Sequence, residues 1–137
     1  MAGWYYWRAA LASWLLVAWG VSALRPEDAV LAADRLWVHL EAEHPGGIWR
    51  REWQITHIGG GQVLSGRIDL VVEQPQSLAV YDHKSFPGGR DRWPDVVAAH
   101  APQIMSYAAA LREATRRPVS WIAIHLPVGG AMLVLEA

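Results

Sequence analysis

Leu78-Ala79-Val80-Tyr81-Asp82-His83-Lys84-Ser85-Phe86-Pro87 contains the only lysine of the chain. The other eleven basic side chains are arginines. An ammonium is a compact point charge whose pKa moves readily, whereas a guanidinium is a wide fork that stays charged. One lysine must fall somewhere, so the exception alone decides nothing. Its neighbours give it meaning. Leu78 to Ser85 reads as a strand, and strand side chains alternate between faces. Asp82 and Lys84 therefore share a face with Leu78 and Val80.

Outward from this stretch the texture stays β. Val63 to Glu73 reads as the preceding strand, with Ile68 and Leu70 pointing one way and Asp69 the other. Gln74-Pro75-Gln76 makes the turn between the two. Ile48 to Ile58 reads as an earlier strand, closed by Gly59-Gly60-Gly61. Beyond Pro87-Gly88-Gly89 a polar loop reaches Trp93-Pro94. Asp95 is expected to cap a long helix running to about Ala114. Val119 to Leu126 is a fourth strand, and Pro127-Val128-Gly129-Gly130 turns it into a last one, Ala131 to Leu135. Upstream, Pro26 followed by Glu27 and Asp28 opens a helix. Its expected apolar stripe is Val30, Leu31, Leu36, Trp37 and Leu40, and His44-Pro45-Gly46-Gly47 ends it. A first helix covers Trp4 to Ala18 and ends near Gly20. The order is helix, helix, three strands, helix, two strands.

At 137 residues the chain has the length of one domain with a real core. The expected division is a helical part, 1–46, and a sheet core with the long helix, 47–137. A formal net charge of -1 supplies no global basic field for nucleic acid, so a polyanion must be held locally by arginine or metal. The absence of cysteine excludes disulfides, thiolate zinc sites and cysteine nucleophiles. The nine tryptophans read as core or interface anchors. The stretch from Trp4 to Leu24 is apolar, and Val21-Ser22-Ala23 has the small residues of a signal-peptide cleavage site. The uninterrupted apolar run from Ala9 falls short of the ~20 residues of a spanning helix. A buried helix is the first reading, a signal or membrane anchor the second, and the location expected is cytoplasmic.

If the second and third strands pair as a meander, Asp69 and Asp82 converge at one end of the sheet with Lys84 beside them. Either acid alone reads as a solvated strand-end residue. Two close carboxylates repel unless a cation lies between them. Hard oxygen ligands suit Mg²⁺ or Mn²⁺, which keep several waters and accept phosphate oxygens. Lys84 can then orient an attacking water or stabilise charge building on the phosphate. The constellation reads as metal-assisted phosphodiester hydrolysis.

Gly66-Arg67-Ile68-Asp69-Leu70-Val71, Tyr81-Asp82-His83-Lys84-Ser85, then Gln103 and Tyr107 on the following helix resemble the PD-(D/E)XK nuclease superfamily. The branch resembled is the RecB-like one, at the C-terminus of AddA-type helicase–nucleases. The likeness runs from about Arg51 to Leu133 and more loosely over the first two helices. It implies a restriction-endonuclease-like αβββαβ core, a central mixed sheet flanked by helices. It implies Mg²⁺ or Mn²⁺ bound by Asp69, Asp82 and the backbone carbonyl of His83, with Lys84 serving the water. Gln103 and Tyr107, one turn apart, would hold the lysine or the DNA strand. Glu52 matches an acidic position common in that branch. DNA is the implied substrate, and a helicase subunit or a helicase portion of a longer chain the implied partner, in DNA repair or recombination.

One position departs from the pattern. That branch places a metal-binding histidine in the first helix, and elsewhere in the superfamily a glutamate stands there; here Ser13 occupies the place, while His39 and His44 come later. Two functions follow. One is a metal-dependent deoxyribonuclease. The other is a catalytically impaired nuclease-fold module that binds DNA or a helicase. No G-x-x-x-x-G-K-[ST] loop is present, so the chain is not itself a motor.

Overall fold

The computed structural model describes residues 2–18 and 24–137. They fall into two compact units, Met1–Glu43 and His44–Ala137. In the first unit, helix α1 (Ala2–Ala18) is joined to helix α2 (Pro26–Glu43) by an Arg8–Asp34 ion pair of 2.6 Å. Pro26 supplies a preset φ at the start of α2. Glu27 and Asp28 then oppose the positive end of the helix dipole.

Two expectations change here. Among the described side chains of the first helix none is buried, and Trp14 is 67% and Val17 79% exposed. The stripe of α2 is also narrower than its sequence suggests. Val30 and Leu40 are buried, whereas Leu31 and Trp37 are exposed. The helix end near Gly20 and the Val21-Ser22-Ala23 stretch lie outside the described residues. No helix among the described residues is long and apolar enough to cross a membrane.

The second unit is a five-stranded sheet with one long helix. Its strands are β1 (Ile48–Gly59), β2 (Gln62–Glu73), β3 (Leu78–His83), β4 (Val119–Leu126) and β5 (Ala131–Glu136), side by side in that order. Helix α3 (Trp93–Thr115) connects β3 to β4. That pair is parallel and the other three are antiparallel, so the sheet is mixed. A parallel neighbour needs a crossover connection, and α3 provides it. The α/β architecture expected from the sequence is the one observed.

The core lies between α3 and one face of the sheet. Ile68, Val71, Val80 and Ile122 pack there against Ile104, Ala108 and Leu111. By alternation Ala79 and Tyr81 face the opposite side, and both are fully buried. On that side Tyr81 hydroxyl and His44 Nε2 share a 2.7 Å hydrogen bond. Ile68 and Val71 belong to one cluster, which strict alternation forbids. The phase changes between them, at Asp69, opposite Glu52, whose φ of 52° interrupts β1.

Two further expectations shift. Strand β3 ends at His83, so Lys84 is the first residue beyond it. Asp95 does not cap α3; Arg92 occupies that position, and Asp95 in the first turn pairs with it at 2.7 Å. The arginines at the helix end hold neighbouring backbone. Arg112 donates to the Val119 carbonyl at 3.0 Å and meets Glu136 at 3.1 Å. Arg117 donates to the carbonyls of Gln74 and Ser77, fastening the β2–β3 turn.

Leu111→Ala should lower stability by about 2–5 kcal/mol, since a buried leucine leaves a cavity. Val17→Ala, at an exposed site, should stay within about 0.5 kcal/mol. Urea denaturation of both variants measures the difference.

Candidate active site

The β2–β3 ladder stops at Leu70 and Tyr81. The same register carried one step further sets Asp69 opposite Asp82. Here the strands part: β3 keeps its pairing with β4 through His83 and His125, while β2 continues along β1 alone. A backbone N–H at such a fork needs an acceptor. That of His83 donates to Asp69 Oδ2 at 2.7 Å. The N–H of Lys84 donates to the His125 carbonyl at 2.9 Å, so the residue past the strand end still follows β4. Lys84 Nζ lies 3.1 Å from Asp82 Oδ2. Two acids, the lysine and the backbone of His83 thus meet where the sheet divides, at the C-terminal ends of the parallel strands β3 and β4.

Asp82 feels conflicting influences, and its side chain is only 16% exposed. Burial, the largest, raises its pKa above the ordinary aspartate range; the Lys84 ammonium pulls it down, and the Asp69 carboxylate pushes it up again. Burial also lowers the pKa of His83, against the opposing influence of Asp69 and Asp82. A neutral His83 suits its setting. Its Nδ1 shares a 2.9 Å hydrogen bond with Nδ1 of His125, and such a bond requires one of the two nitrogens to be an unprotonated acceptor.

Gln103 and Tyr107 meet each other, Gln103 Nε2 donating to the Tyr107 hydroxyl at 3.3 Å. Among the described residues neither has a hydrogen bond to Asp69, Asp82 or Lys84. Tyr107 instead lies over Gly66, three residues before Asp69. A methyl group there would collide with its ring and hydroxyl, which is why the strand carries glycine at that position. Glu52 sits opposite Asp69 in the β1–β2 register, yet its exposed carboxylate meets Arg67 at 3.5 Å.

Two histidines have partners that the sequence did not reveal. His125 pairs with His83, and His57 lies 3.4 Å from Glu113 of α3. The first contact follows from the parallel register of β3 and β4, which no local pattern encodes. The second joins residues far apart in the chain.

The donor set fits a hard divalent cation. Two carboxylates face each other, and one is buried enough that its charge needs a positive neighbour. Mg²⁺ is commonly held by one or two carboxylates, with waters and phosphate oxygens completing its shell. Asp69 and Asp82 would hold such an ion. Among the described residues no set of three or more histidine, aspartate or glutamate side chains gathers at one point. Ser13, at the place where the resemblance expects a ligand, is exposed on α1.

A family model described as the PD-(D/E)XK nuclease superfamily matches residues 6–136, nearly the whole chain. No curated protein matches it.

A carboxyl whose pKa is raised by folding contributes stability below its unfolded pKa of about 3.9, and that contribution is lost as pH rises through the folded value. Metal-free Asp82→Asn should therefore gain stability relative to wild type as pH rises from 3 to 7. Mn²⁺ should raise the wild-type melting temperature and leave that of Asp82→Asn nearly unchanged. Thermal melts across this range, with and without Mn²⁺, read both effects.

Proposed function

The chain belongs to the PD-(D/E)XK nuclease superfamily, and from that premise we propose that it is a metal-dependent deoxyribonuclease. The observation that carries the reading is the convergence of Asp69, Asp82 and Lys84 at the parting of β2 and β3. The two aspartates and the His83 carbonyl would hold a divalent ion, which when bound would supply Lewis-acid chemistry at the phosphate and lower the pKa of a water. Lys84 orients the attacking water and offsets charge growing on the phosphate. Asp69 also fixes the His83 backbone and with it the direction of Lys84. Gln103 and Tyr107 bear on the DNA strand beside β2, and Arg90 and Arg92 lie in a short 3-10 turn between the site and α3. The order of Asp69, Asp82, Lys84, Gln103 and Tyr107 along the chain is what supports the RecB-like branch, and with it a cytoplasmic role beside a helicase in repair or recombination.

A second reading, a nuclease-fold module that binds DNA or a helicase without cutting, is favoured by one observation. Only two metal-ligating side chains meet at the site among the described residues.

Cleavage of linear DNA should require millimolar Mg²⁺ or Mn²⁺ and stop on chelation. Asp82→Ala and Lys84→Arg should each lower the rate by about a hundredfold or more. Arginine keeps the charge, but its fork does not fit an ammonium's place beside the water. DNA binding by wild type with no cleavage in either metal would leave the non-catalytic reading standing.

A further inference from the structure

The two edges of the sheet are unlike. The β1 edge carries Arg50, Arg51 and Glu52, and the left-handed φ of Glu52 breaks its line. Charge and irregularity are the usual guards against an added strand. The other edge, β5, pairs regularly from Ala131 to Val134; its bulge, at Leu135, and its one charge, Glu136, come only at its end. Ala131-Met132-Leu133-Val134-Leu135 is uncharged until Glu136, and among the described residues no strand neighbours the backbone groups on its outer side. A groove of about 830 Å³ runs along this edge, between it and the first turns of α3. Four consecutive residues of β5, Met132 to Leu135, line it, so it follows the strand's edge and not just one face. Its other wall includes Trp93, Val97 and the exposed Ala98. At the groove the Arg90 guanidinium lies 5.5 Å from the centre of the Trp93 ring. No carboxylate is within ion-pair distance of Arg90 among the described residues.

We propose that the β5 edge and this groove bind an extended peptide segment of a partner protein by strand addition, with alternate apolar side chains in the groove and an acidic side chain at Arg90. Main-chain hydrogen bonds to a free edge provide affinity, and a flanking pocket for alternate side chains provides selectivity. The uncharged, regularly paired run from Ala131 to Val134, the apolar lining and the Arg90 guanidinium each match a feature of that occupant. A single nucleic-acid strand fits less well. It needs an open aromatic face and several cations, whereas Arg90 covers the Trp93 ring and Arg92 is paired with Asp95. The site stands apart from the catalytic reading and does not depend on it.

The test pans a phage-displayed library of random dodecapeptides on the full chain, then measures binding of the enriched peptides by fluorescence anisotropy and their footprint by hydrogen exchange. Enriched peptides should alternate apolar residues, carry Asp or Glu, and slow exchange of the β5 amides. Ala98→Glu and Arg90→Glu, both at exposed positions, should each weaken binding about tenfold or more with the melting temperature unchanged. The proposal is overturned if no peptide is enriched, if the footprint lies elsewhere, or if both variants bind as wild type. It is also overturned if oligothymidylate, or a second copy of the chain at high concentration, protects the same amides in preference to the peptides.

Discussion

The hydrogen bond from the His83 backbone to the Asp69 carboxylate is the contact on which the candidate site depends. A mixed sheet that divides leaves main-chain groups without partners, and a buried unpaired N–H costs about 1–3 kcal/mol. Asp69 meets that need with a side chain. It can do so only because the register sets it opposite Asp82, at the step where β3 leaves β2. The same acid thus closes the fork structurally and brings two negative charges together. Lys84 then answers the charge, held in direction by its own N–H to the His125 carbonyl. Without the fork the two acids would sit in an ordinary ladder, with no opening beside them.

Much of this was legible in the chain. Short β-rich runs bounded by glycine and proline turns located all five strands. The order of Asp69, Asp82, Lys84, Gln103 and Tyr107 pointed to the superfamily. What sequence could not carry is non-local. The pairing of His83 with His125 follows from a parallel register set by a 23-residue helix between the strands. The end of β3 at His83, short of Ser85, reflects loss of one neighbour, not a change in propensity. The exposure of Trp14 and Trp37 was misread because apolarity marks what can be buried, not what is. Asp95 looked like a cap because acids favour that position, yet an acid one turn further in serves the helix dipole as well.

Four of the arginines make contacts within the sheet unit. Arg117 and Arg112 fasten loops and strand ends by donating to carbonyls, a use that suits a planar fork with several donors. Arg50 and Arg67 pair with acids on the outer strands. None of these places asks for a movable point charge. That the one lysine stands at the fork, 3.1 Å from a largely buried aspartate, is a choice of geometry over charge.

The long hairpin of β1 and β2 outruns its neighbours, for β2 from Gln62 to Ile68 pairs with β1 alone. Its turn is built on Gly60 and Gly61, both at positive φ. It touches α3 through His57 with Glu113 and through Tyr107 over Gly66. Mechanically this is a lever whose fulcrum is Asp69. Its long arm is braced against α3 at two points, so the strand that carries Asp69 enters the fork from a fixed direction.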